Sequence, residues 1–146
     1  MYSVLNLKQF LLGRWAISRR IVDRRLNIAG KMIGESRFSP IADGLHYAEA
    51  GRLYFGAYEG PVAQQYLVTF RDEANADFRD PKGNALFQLN LSAGLGVAIH
   101  HCAPDFYLGR FRVSHDEWWS VAWSVEGPRK RYQMLTLKMR LPEKHH

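Results

Sequence analysis

The chain has 146 residues, 47% of them hydrophobic and 23% charged, with a formal charge of +6 and a single cysteine. This size and balance suit one globular domain with its own core. They exclude a disulfide-stapled scaffold and a chain carrying a bilayer-spanning apolar run. Met1–Leu12 lacks a basic region and a small-residue cleavage site, so no signal peptide is expected and the protein is placed in the cytoplasm.

The elements follow in chain order. Val4, Leu5, Leu7, Phe10, Leu11 and Leu12 have the spacing of a short amphipathic helix, with Ser3 as N-cap and Gly13 closing it. After Gly13, apolar and polar residues alternate with period two. Trp15–Ile21, Ile28–Phe38, Leu45–Leu53 and Val62–Phe70 are the first four expected strands. Asp72–Asp80 is polar and fits either a loop or a short edge strand. Ala85–Leu91, Leu95–His101, Phe106–Val113, Trp118–Val125 and Tyr132–Leu141 follow. Turn signals separate them, among them Asp43-Gly44, Glu59-Gly60-Pro61 and Glu126-Gly127-Pro128. The tail, residues 142–146, is polar and expected to fray.

About nine or ten strands with short connections predict an all-β fold. A single domain with one helix has little to cover open sheet edges, and closure removes edges. The expectation is a closed antiparallel up-and-down barrel, with the helix packed on one end.

Chemistry-bearing residues concentrate at His100-His101-Cys102-Ala103-Pro104-Asp105-Phe106-Tyr107, between two expected strands. Basic residues are scattered, densest at Arg19, Arg20, Arg24, Arg25 and at Arg129, Lys130, Arg131. No Gly-rich phosphate loop, zinc spacing or ribonucleoprotein motif accompanies them, so nucleic acid is not the expected partner.

Two sets of residues carry a family resemblance. Leu12-Gly13-Arg14-Trp15, a Gly-x-Trp entering the first strand, resembles the lipocalin opening motif. That resemblance implies a Trp plugging the closed end, with an Arg of the last strand across it. Arg140 is the first candidate, before Lys138 or Arg131. Tyr47-x-Glu49-x-Gly51-x-Leu53, His101-Cys102-x-x-Asp105-x-Tyr107-x-Gly109-x-Phe111 and Trp123-x-Val125-x-Gly127-Pro128-x-Lys130-x-Tyr132 together resemble a family of lipocalin-like bacterial domains of unknown function. The likeness runs from Phe10 to Arg140. It implies a calycin-type barrel and no particular reaction.

Residues at i, i+2 and i+4 of a strand share a face. Arg19 goes with Trp15, Ile17 and Ile21; Glu49 with Leu45, Tyr47 and Leu53; Tyr66 with Val62 and Val68. His101 goes with Val97 and Ile99, and Asp105 and Tyr107 with Phe111. Trp119, Val121, Trp123 and Val125 form an apolar wall. If these faces are the interior, the ligand-binding candidates are Arg19, Tyr47, Glu49, Tyr66, His101, Asp105, Tyr107, Phe111 and Trp123. A buried charge needs a partner, and Arg19 with Glu49 is the expected pair. His100 and Cys102 fall on the opposite face from His101.

The favoured function is binding of a small, mainly apolar or aromatic ligand with a polar or carboxylate group. One alternative is an enzyme using the same cavity, with His101 or Glu49 as acid/base, although no reaction is specified. Another is a structural or interaction domain whose barrel is filled by its own side chains. Haem held by His101 ranks last. No metal site is expected.

Overall fold

The computed structural model describes residues 1–143. Ten antiparallel strands form one sheet that rolls into a nearly closed barrel. They are β1 (Gly13–Asp23), β2 (Ile28–Ile41), β3 (Gly44–Phe55), β4 (Tyr58–Phe70), β5 (Asn75–Arg79), β6 (Ala85–Asn90), β7 (Leu95–Cys102), β8 (Asp105–His115), β9 (Trp118–Glu126) and β10 (Arg131–Leu141). The all-β barrel expected from the alternation is what forms. Asp72–Asp80 contains a real strand, β5, paired with both β4 and β6.

The strand order is β6-β5-β4-β3-β2-β1-β10-β9-β8-β7. Every neighbour is joined by a hairpin except one. β1 and β10, from opposite ends of the chain, pair from Arg14↔Leu141 to Asp23↔Tyr132. The circle's weak point is therefore mid-chain, where β6 faces β7 without a ladder. There a side chain substitutes for the backbone: His100 Nδ1 lies 2.8 Å from the Leu86 carbonyl oxygen.

The turns are short because the residues allow it. β3 and β4 are joined by Gly56-Ala57, with Gly56 at φ 60°, a left-handed conformation that glycine adopts without strain. Curvature also needs flat contacts. Gly109 pairs with Trp123 across β8 and β9, and a Cβ at Gly109 would stand 2.8 Å from the indole ring. The indole lies against the bare backbone, as aromatic residues do over sheet glycines.

The helix differs from the sequence expectation. It is α1 (Leu7–Leu11), and its N-cap is Asn6, whose side chain accepts from Gln9 N at 3.1 Å. Ser3 lies before it. The physical reason is competition for donors. Tyr2 N and Val4 N bond the carbonyls of Val113 and Leu91 at the barrel end, which holds this stretch out of the helix. Leu12 is the C-cap, and Gly13 opens β1 at φ 111°.

The segment and α1 stopper one end of the barrel. Val4, Leu7, Phe10, Leu11 and Trp15 join the main core there. Trp15 is wholly buried, and its Nε1 donates to the Leu11 carbonyl at 2.9 Å. Arg140 Cζ sits 4.1 Å from the Trp15 ring centroid, and its guanidinium donates to the Phe10 and Leu12 carbonyls at 2.7 and 3.0 Å. Of the three residues considered for that place, Arg140 fills it, because Trp15 and Arg140 are direct register partners. In the tail, the Pro142 carbonyl accepts from Arg14 at 2.7 Å and Glu143 pairs with Arg37. Residues 144–146 lie outside the described residues. No helix among the described residues is long and apolar enough to cross a membrane.

Candidate functional site

Inside the barrel is a cavity of about 570 Å³. That falls within the range of small-molecule sites, and it makes the interior open rather than filled. Its lining divides into two unlike walls.

One wall is aromatic. Trp119 and Trp123 of β9, Phe111 of β8, and Phe87 of β6 meet ring to ring. Phe87 and Phe111 lie 5.2 and 5.9 Å from Trp123. The alternation of β8 and β9 brings these side chains to one face. The Trp119 indole N–H is a buried side-chain polar atom with no hydrogen-bond partner among the described residues.

The other wall is a charged network at the junction of β1, β3 and β10. Arg19 grips Glu49 with two nitrogens, at 2.8 and 3.2 Å, and its Nε donates to Thr136 Oγ1 at 2.8 Å. The Tyr47 hydroxyl donates to the same carboxylate at 2.6 Å. Lys138 Nζ donates to the Tyr47 hydroxyl and, at 3.3 Å, to Ser36 Oγ. Tyr66 stacks on Tyr47 at 5.6 Å and donates to Gln64.

Electrostatics follow from this geometry. Burial alone would raise the Glu49 pKa, but Arg19, Lys138 and Tyr47 together outweigh it and hold it at about 2. Burial pushes Tyr66 up to about 12 and Tyr47 well above its ordinary value. Lys138 is only 4% exposed, and burial pulls its pKa down to about 7; Glu49 opposes the shift and Arg19 adds to it. Arg19 and Glu49 cancel, so protonation of Lys138 leaves the wall with one excess positive charge.

Of the nine residues singled out from the sequence, Arg19, Tyr47, Glu49, Tyr66, Tyr107, Phe111 and Trp123 line the cavity. His101 and Asp105 do not. The expected inward placement of His101 is reversed: Val97 and Ile99, its companions on β7, are 64% and 49% exposed, and Ala98 is buried instead. His101 is exposed and packs beside Phe106, at 4.9 Å between rings. Neither an acid/base role inside the barrel nor a haem ligand inside it has geometric support from that position. His100 lines the cavity in its place. The cause is legible only in three dimensions. β7 is an edge strand, and its outer face carries the larger aliphatic residues. Asp105 sits at the rim and pairs with Lys130 at 3.4 Å. Cys102 is exposed at the strand end. Among the described residues, no three His, Cys, Asp or Glu side chains are grouped to hold a metal ion.

Lys138 lines the cavity too, although the sequence offered it only as an alternative to Arg140 across Trp15 and not among the ligand-binding candidates. Its signal was present: Tyr132, Met134, Thr136 and Lys138 share one parity on β10, and all four line the cavity.

Residues 11–140 match DUF6314, a family of unknown function. No curated protein matches the sequence. Among solved structures, the chain is similar to an S-type phycobiliprotein lyase from Guillardia theta, with TM-score 0.68, 9% identity, and 98% of this chain and 95% of that chain covered. It is also similar to a protein of unknown function of the DUF3598 family from Nostoc punctiforme, with TM-score 0.63, 14% identity and 94% of this chain covered; it spans 50% of that chain. At these identities the likeness is one of fold alone.

Proposed function

The chain belongs to the DUF6314 family, and on that premise we propose that it binds one small, mainly apolar molecule inside the barrel. The ligand's apolar body lies against Phe111, Trp123 and Tyr107. Its polar or carboxylate end meets the wall of Arg19, Glu49, Tyr47 and Tyr66, with Lys138 beside it. We assign this role to a bacterial cytoplasm.

The observation that carries the reading is the division of the cavity of about 570 Å³ into an aromatic wall and a charged one. Apolar area supplies binding energy, and a few placed polar groups supply orientation. The excess positive charge on protonation of Lys138 favours an anionic head. The enzyme reading has less behind it. His101 lies off the cavity, and Glu49, held near 2, keeps no proton to donate at neutral pH. Likeness of fold to a phycobiliprotein lyase supports a barrel that handles a small molecule, and nothing finer.

The test is titration of intrinsic Trp fluorescence with fatty acids, retinoids and aromatic acids such as 2-naphthoate. Trp119 and Trp123 line the cavity, so occupancy is expected to give a saturable change. Absence of any saturable change across all three classes would sink the reading.

A further inference from the structure

We propose that Lys138 is a carbonyl-reactive amine, and that the cavity takes a small apolar or aromatic aldehyde that Lys138 Nζ condenses with to form an imine. This rests on the cavity-binding reading above and names the ligand class for it.

Three observations carry it. First, Lys138 belongs to the cavity lining and is almost fully buried, so its amine stands at the cavity wall and away from the outer surface. Second, it has no carboxylate of its own. Both Glu49 oxygens are engaged by Arg19 and one also by Tyr47, and no ion pair joins Lys138 to a carboxylate among the described residues. A lysine kept for structure inside a barrel would be expected to hold a direct counter-ion. Third, its surroundings are ring faces. The centroids of Tyr47, Trp119 and Phe38 lie 4.2, 5.5 and 6.0 Å from Nζ. These rings favour the charged form. Desolvation outweighs them, and the pKa of about 7 leaves a large share of neutral amine at physiological pH.

The step balances without any co-reactant. The Nζ lone pair attacks the carbonyl carbon, a C–N bond forms, and the C=O π pair moves to oxygen. A proton passes from nitrogen to that oxygen, giving a carbinolamine. The C–O bond then breaks, water leaves with the second nitrogen proton, and the nitrogen lone pair closes the C=N bond. The Tyr47 hydroxyl touches Nζ on one side and the Glu49 carboxylate on the other, which suits it to relay these protons. Trp119, on the facing aromatic wall, is the register partner of Lys138, and its buried N–H has no acceptor among the described residues.

The experiment uses the intact chain, 2-naphthaldehyde and cyanoborohydride, with peptide mapping by mass spectrometry. An aryl aldehyde has no alkene conjugated to its carbonyl and so avoids conjugate addition to exposed Cys102. The expected result is a reduced adduct at Lys138, forming roughly tenfold or more faster than at exposed Lys31 and Lys82, and slowing as pH falls below about 7 because Nζ takes up a proton. Lys138→Arg and Lys138→Met, each checked for folding by circular dichroism, should lose that adduct. Label on surface lysines with Lys138 unmodified overturns the proposal. If 2-naphthoate still quenches Trp fluorescence saturably in that case, only the imine step fails. If neither 2-naphthoate nor any of the fatty acids and retinoids does, the binding reading fails as well.

Discussion

The Arg19–Glu49–Tyr47–Lys138 wall and the His100–Tyr107 segment are both dense in reactive side chains, yet they end in opposite circumstances. In the wall, four residues from three strands converge, each is buried or nearly so, and each bonds another. In the segment, the residues are consecutive, so the pleat sends neighbours to opposite faces. His100 faces in and bridges the seam, His101 faces solvent, and Cys102 ends exposed. Density along the chain is therefore a poor guide to chemistry in a β protein. What counts is which residues two apart on one strand meet residues two apart on another, away from water.

Substitutions can break or sharpen that contrast. The largest effect is expected at Glu49→Gln, which leaves Arg19 buried without its anion. The loss should be about 3–5 kcal/mol, read by urea denaturation. The same carboxylate sets the acid limb. Its folded pKa is about 2 against an ordinary 4.5, so its contribution is complete above 4.5 and lost as pH falls towards 2. A wild-type acid transition as shallow as that of the variant would count against this account.

Lys138 should tilt stability in the same direction, over a higher pH window. Its folded pKa is about 7 against an ordinary 10.5, so between these values the unfolded chain holds a proton the folded chain has released. Stability from this group then rises with pH across that window. Raised pKa values at Tyr47 and Tyr66 oppose the rise near its upper end, so the difference between wild type and Lys138→Met is the quantity to measure. Parallel profiles would show that Lys138 stays charged in the folded barrel.

Smaller effects belong to the segment. His100→Ala removes the bond to the Leu86 carbonyl that spans the unladdered seam and should cost about 1 kcal/mol. His101→Ala and Cys102→Ser, on exposed positions, should each stay within about 0.5 kcal/mol and leave ligand affinity unchanged. A marked loss of binding in His101→Ala would erase the contrast between the two regions.

Much of the architecture was legible in the sequence because strand alternation and turn residues are local signals. Trp15 to Ile21, Trp119 to Val125 and the Gly-x-Trp entrance all took the faces their spacing implied. The helix cap was not legible, because Ser3 and Asn6 are both good caps and barrel-end carbonyls took the donors near Ser3. Nor was β7, where Val97 and Ile99 are apolar yet outward.

By itself, then, the sequence determined an all-β chain of about ten strands and the pairing of Arg19 with Glu49, since these follow from period-two spacing and the cost of an unpaired buried charge, while the Trp15 plug was implied by the resemblance of Gly13-Arg14-Trp15 to the lipocalin opening motif. Only the tertiary structure decided that the circle is weakest at β6 and β7, that His100 and not His101 faces inward, and that Lys138 stands beside Tyr47. Those outcomes depend on closing β1 against β10, residues more than a hundred positions apart, and no local pattern encodes which inward side chains such a closure brings together.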